Sequence, residues 1–556
     1  MNSLTFSFDI DPVPCVIDCL NRLISDHFSV LSNDESIIHQ ILVYLITIID
    51  HCECYNYATL INESINEMFS KNDIPASIIQ LVPDVLQVLV KRSLLPTECY
   101  EAGSIDQYEE KDSLLKFRSS CQDVLLEIAS SSIGPFQTST FLFDISYKNP
   151  SNLRIQESVL CLFCGIIDSI EGQLLPLFSP TEDDLKDVTD SHASKRTDIS
   201  CTPLITDYDE ILNYVFLHME EFTVHPLLLS TALQVMFSFD NWTFSRRDHC
   251  QSLFQYLLLS IPQSPITLIP RLLCYISRLY ESPCFEVTKE VVERVLQLTP
   301  HIHSLNNEEI LLLFVKTVSS SISNLSPNEA ISMYQEFLHS YMEPILHVGS
   351  NDHSNLHVSL NCLIAVFDGC LSDTLANALG EAVLPSLKTL FSTMFNEVNK
   401  QQNLVVIHSI CGVCTSILNA SDCCLSNKNS LVILEIAHQL LHHSLLVQNA
   451  LEIIDTLLSN VYSIVSQEQI ASLLTTINSL LLWNLENHCI KQTLDSTKLI
   501  LRIQLIILKE SSSDLMNQEN LVLSIVGMVV KVIQEMVNEE ELIRLILRFV
   551  SFILQV

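Results

Sequence analysis

Cys161-x-x-Cys164 and Cys411-x-x-Cys414 are the spacings in this sequence nearest to metal or redox chemistry. Two thiolates at that separation can share a zinc ion or cycle as a disulfide, given a second ligand pair or a lowered thiol pKa. Both motifs lie inside apolar helical runs, "SVLCLFCGII" and "SICGVCTSIL", without basic neighbours. Cys423 and Cys424 could complete the second motif only by folding back. Core packing is therefore the expectation, with Cys acting as a small hydrophobe. His438 and His442 share a helix face, with His443 following. The residues between them, Gln439-Leu440-Leu441, lack the Glu of the zinc-protease motif H-E-x-x-H. A polar helix face is expected there. Glu182, Asp183 and Asp184 could hold a cation, but a linear acidic cluster in a loop is usually solvated. Arg246-Arg247 after "NWTFS" could meet an acidic peptide; a charged loop tip is the plainer expectation. No nucleophile elbow, phosphate loop or dinucleotide fingerprint occurs. The sequence thus offers no catalytic, cofactor-binding or metal-ligating residue, and an enzyme is not expected.

The elements that carry these residues are helical. Of 556 residues 48% are hydrophobic and only nine are Gly, too few for the turns and phosphate loops of sheet proteins. In "YEAGSIDQYEEKDSLLKFRSSCQDVLLEIASSSIG", residues 100–134, an acidic loop enters a helix. Leu114, Phe117, Cys121, Val124 and Ile128 step by 3, 4, 3 and 4 onto one face, and Ser119, Gln122, Asp123 and Glu127 take the rest. Gly134 suits a left-handed cap and Pro135 blocks continuation. The next stripe, Ile155, Val159, Leu162, Ile166 and Ile170, stops at Gly172. Such helices recur along the chain and are too apolar to stand alone. The fold class expected is all-α, an α-solenoid of HEAT/armadillo-like antiparallel helix pairs. At roughly 40 residues per pair the chain would hold about 14 pairs. The expected organisation is helical repeats over 1–178, an acidic mobile loop over 179–210, and the same solenoid continuing over 211–556.

Charge is one-sided, with 29 Lys+Arg against 65 Asp+Glu and a net charge of −36. That surface disfavours nucleic acid and anionic lipid and attracts basic partners; it also keeps a hydrophobic chain in solution. The candidate partner-binding residues are the loop acids Glu109, Glu110, Glu182, Asp183, Asp184 and Asp187. The 19 Cys are odd in number and form no small disulfide framework, which predicts reduced thiols. The sequence shows no signal peptide, and its apolar runs are broken before the ~18 residues of a membrane span, so no membrane insertion is expected.

The 100–134 segment resembles a stretch of nuclear transport receptors of the importin-β (karyopherin) superfamily, in the importin-thirteen/transportin-three branch. The residues that carry the resemblance are Tyr100, Ser104, Asp106 and Phe117-Arg118, followed by Glu157 in "LRIQESVL". Leu153 and Ser158 stand where the family commonly has Trp and Ala. "LVPDVLQVLVKRSLLPTE" resembles the preceding helix, and "HVSLNCLIAVFDGC" and "VLPSLKTLFSTMF" resemble later ones. The resemblance implies a HEAT-repeat superhelix that binds protein cargo, with Ran-GTP and Phe-Gly nucleoporins as further partners and residence in both cytoplasm and nucleus. It leaves import and export equally open. The segment sits mid-chain in the family but near residue 100 here, so the N-terminal Ran-binding repeats are expected to be absent. "HVSLNCLIAVFDGC" offers Asn361 and Asp368 but no Arg, unlike the helix that takes phosphorylated Arg-Ser cargo in the transportin-three type. The alternative is a HEAT/armadillo scaffold or adaptor that assembles proteins without Ran.

Overall fold

The computed structural model describes residues 12–31, 34–71, 74–103, 108–178, 208–244, 246–346, 353–398, 400–461, 467–486 and 494–510, with a few isolated positions besides. Among them every regular element is helical, as the scarcity of Gly and the 3.6-residue stripes require. Helix starts are set by local chemistry. The Asp34 carboxylate accepts from Ser36 and Ile37 N–H, and Thr288, Asn307, Ser372 and Ser426 each cap a later helix in the same manner.

The chain divides into two compact units, Met1–Tyr275 with Ser282–Phe285, and Ile276–Glu281 with Glu286–Val556. Each is a two-layered stack of helix pairs, the architecture of an α-solenoid. In the first unit one layer runs Pro12–Leu31, Tyr55–Phe69, Lys111–Ser130, Leu153–Phe178 and Pro226–Ser238, each helix packed on the next. Glu35–His51, Val82–Arg92 and Pro135–Lys148 form the layer beside it. In the second unit the helices beginning at residues 308, 353, 401, 447 and 494 make one layer, in steps of 45, 48, 46 and 47. The period is thus longer than the expected ~40, because helices here reach 21 to 23 residues.

The Leu114–Ile128 stripe is wholly buried, as its spacing predicts. Two boundaries differ from expectation. Helix Lys111–Ser130 ends at Ser131, and Gly134 (φ +81°) instead precedes Pro135 at the start of the following helix. Helix Leu153–Phe178 passes through Gly172, since a lone Gly costs a helix only about 1 kcal/mol. Helix Gln401–Ser421 is long and apolar enough to cross a membrane by length and composition. However, 61% of its apolar window is buried within the protein, as in a core helix.

Neighbouring repeats approach closely at glycines. A Cβ on Gly165 would lie 2.6 Å from Gln122 Cβ and 2.9 Å from its Cα, so backbone would have to move. On Gly412 it would meet only the end of Ile364, Cδ1 at 2.7 Å. Gly165→Ala should therefore cost ~1–3 kcal/mol by overpacking and Gly412→Ala distinctly less; urea denaturation of the two variants would compare them.

Candidate partner-binding surfaces

The acidic loop at 100–110 is tethered at both ends. Arg154 donates to the Leu95 carbonyl and, at 3.1 Å, to Thr97 Oγ1. The short helix Thr97–Ala102 ends at Gly103, whose left-handed conformation (φ +64°) needs no Cβ. Tyr100 stacks on His225 with ring centroids 3.7 Å apart and 4° between planes, and His225 Nε2 donates to the Tyr100 carbonyl. Tyr108 closes the loop near Tyr55; burial, then that neighbour, pushes its hydroxyl up to about 12.

Glu109 and Glu110 are exposed on the turn that follows. Glu110 immediately precedes helix Lys111–Ser130 and Asp112 lies in its first turn, where negative charge favours the positive end of the helix dipole. They form a fixed acidic prominence. Glu182, Asp183, Asp184 and Asp187 lie outside the described residues, as do Ser104, Asp106 and most of the 179–210 stretch. A helix begins at Asp209, just inside that stretch.

Beneath the loop lies the costliest contact of the unit. Arg118 Nη2 donates to both Glu157 oxygens, at 2.8 and 2.7 Å, with Arg118 only 7% and Glu157 2% exposed. The residues are one repeat apart, on adjacent helices of one layer. Beside them Gln122 donates to the Cys161 carbonyl at 2.7 Å. Ser158 donates to the Val90 carbonyl at 2.9 Å and meets Ser93 at 2.6 Å, tying this layer to the other. The sequence names Arg118 and Glu157 separately; their spacing of 39 residues, close to one repeat, is the signal that pairs them.

The remaining sequence candidates have structural surroundings. Arg246 lies 5.3 Å above the Trp242 ring and 3.6 Å from Asp209, whose other oxygen accepts from the Trp242 indole N–H. It is part of a packed cluster. His438 and His442 stand with ring centroids 5.2 Å apart. Among the described residues no three His, Cys, Asp or Glu side chains converge as a metal site would require. Burial pushes the Cys161 thiol up to about 11 against the pull of Arg118, and Cys414 up to about 12. Cys164 and Cys411 are also raised by burial. These shifts favour the thiol, whereas nucleophilic or metal-bound Cys needs the thiolate.

No protein-family model matches the chain, and no curated protein matches it. Among solved structures it is similar to that titled "Kap95:Nup1 complex", at 11% identity and a TM-score of 0.47, over 94% of this chain and 64% of that one. It is also similar to yeast importin-beta (Kap95p), at 11% and 0.44, over 97% of this chain and 66% of that one. For the karyopherin Kap121p bound to the extreme C-terminus of the protein phosphatase Cdc14p the figures are 13% and 0.36, over 96% and 61%. The chain therefore spans under two thirds of the length of each. Likeness at this level says nothing specific about function.

Two outcomes test this account. Replacing Arg118 by Met or Glu157 by Leu alone strands a buried charge and should cost ~3–5 kcal/mol, while the double replacement should recover most of that loss in denaturant melts. Brief alkylation at neutral pH, read by mass spectrometry, should label exposed Cys19, Cys54, Cys274 and Cys424 and spare Cys121, Cys411 and Cys414. Stability should also fall as pH rises from about 9 toward 12. In that window the unfolded chain releases thiol and phenol protons that Cys161, Cys414 and Tyr108 keep in the folded state.

Proposed function

We propose that the chain is a protein-binding receptor of the importin-β kind, taking basic protein cargo on its acidic surface. The observation that carries this reading is the joint built from the residues of the sequence resemblance. Tyr100 holds the acidic loop, Phe117 is buried in the helix that follows, and Arg118 pairs with Glu157 on the next repeat. The net charge of −36 supports long-range attraction of Lys- and Arg-rich partners.

In this reading Glu109 and Glu110, with Glu182, Asp183, Asp184 and Asp187, supply carboxylates to cargo. Ran-GTP governs release, Phe-Gly repeats are met at the pore, and the protein works in cytoplasm and nucleus. It is not an enzyme and needs no cofactor. The competing reading, a HEAT/armadillo scaffold without Ran, draws on the same joint, because residues buried in packing would serve a scaffold equally.

Binding of the purified chain to a Lys/Arg-rich peptide, to Ran-GTP and to a Phe-Gly repeat separates the two. A receptor should bind all three and release the basic peptide when Ran-GTP is added. Affinity for the peptide should fall as salt rises, and Glu109→Gln with Glu110→Gln should slow its association. Binding neither Ran-GTP nor Phe-Gly repeats would remove the transport role and leave the scaffold.

A further inference from the structure

Helix Glu35–His51, "ESIIHQILVYLITIIDH", is apolar on more than one face. Ile38, Leu42, Leu45 and Ile49 enter the core of the first unit. His39 and Asp50 turn to one flank, where His39 Nδ1 bonds the Ser77 carbonyl at 3.3 Å and Asp50 pairs with Lys91 at 2.5 Å. That flank is where the next helix of the layer packs. At 100° per residue, Ile37, Ile41, Tyr44 and Ile48 fall on the opposite flank, in steps of 4, 3 and 4. They are exposed there: Tyr44 is 66% open, Ile37 46% and Ile48 45%, with Ile41 partly so. On the adjoining helix Pro12–Leu31, Leu23 and Val30 are exposed too. A soluble helix does not ordinarily carry such a stripe in water.

We propose that this flank is a docking face for an amphipathic α-helix of a partner protein, with Lys or Arg at the end that meets Asp34 and Glu35. Two observations select that occupant. The face continues the layer's own helix-on-helix packing, and its residue steps are those of a ridge that seats between the side chains of another helix. Its charge is also one-sided, since Asp34 and Glu35 are exposed at the stripe's N-terminal end. A second copy of the chain would bring its own −36 to the contact and be repelled. The inference needs neither cargo nor Ran, so it stands or falls separately from the transport reading.

The test uses the full chain and a synthetic peptide of about 18 residues, roughly 27 Å as a helix. The peptide carries Leu at positions spaced 4, 3 and 4 and two Lys at one end, and binding is followed by fluorescence anisotropy. Saturable binding is expected, weakened at least about tenfold when Glu replaces the two Lys, and abolished by a central Pro that breaks the helix. Tyr44→Glu and Ile48→Glu should each weaken it at least about tenfold while thermal melts stay unchanged. Absence of saturable binding, or binding indifferent to Tyr44→Glu, would overturn the proposal. So would self-association in sedimentation that Tyr44→Glu abolishes, because the occupant would then be a second copy.

Discussion

A stack of helix pairs has no centre, so each buried polar group must find its partner on the helix one repeat away. That constraint orders both units. In the first it joins Arg118 to Glu157 and Gln122 to the Cys161 carbonyl, each 39 residues apart. In the second it joins Ser319 to the Val366 carbonyl across 47 residues and Ser416 to Asp368 across 48. Asn460 reaches the Leu418 carbonyl across 42. Contacts of this range make stability a sum of neighbour terms. A defect such as a Cβ at Gly165 is therefore felt at one interface. The Arg118–Glu157 pair is the extreme case, because two desolvated charges are tolerated only while each has the other.

The loop before helix Lys111–Ser130 departs from this nearest-neighbour rule. Tyr100 and Gly103 reach His225 and Pro226, at a separation of 125 residues for the ring stack. In the layer of Lys111–Ser130 the loop thereby skips Leu153–Phe178 and binds the start of Pro226–Ser238. Such a strap couples repeats that would otherwise communicate only through the one between them. It also holds Glu109 and Glu110 in place, so their charge is presented without the entropy cost of ordering a free loop on binding.

Much of the fold was legible because helical periodicity is a local property. Leu114, Phe117, Cys121, Val124 and Ile128 are all buried where their spacing puts them. The period was not legible, since polar breaks are alike within and between pairs, and only packing shows that the helices starting at 308, 353, 401, 447 and 494 share a layer. Helix ends were read less well where one residue carried the signal. Gly134 serves the start of the next helix, and Gly172 does not stop its own. Of the candidate acids, Glu109 and Glu110 are exposed as their loop position suggested. The pairing of Arg246 with Asp209 and Trp242 could not be read, because no local pattern links residues 33 or more apart.

The residues that mark the family resemblance turn out to be interior ones, and this bears on what such a resemblance can carry. Arg118, Glu157 and Ser158 are buried in contacts between and within repeats, where a substitution would leave an unpaired charge or an orphaned hydroxyl. Selection on packing alone would keep them in any stack that uses this joint, whatever its exposed surface binds. The exposed surface is freer, and it is there that partner choice must lie: in the acidic prominence at Glu109 and Glu110, and in the apolar flank of Glu35–His51. A shared interior therefore speaks to how the repeats are joined, and binding specificity has to be sought in side chains that packing leaves unconstrained.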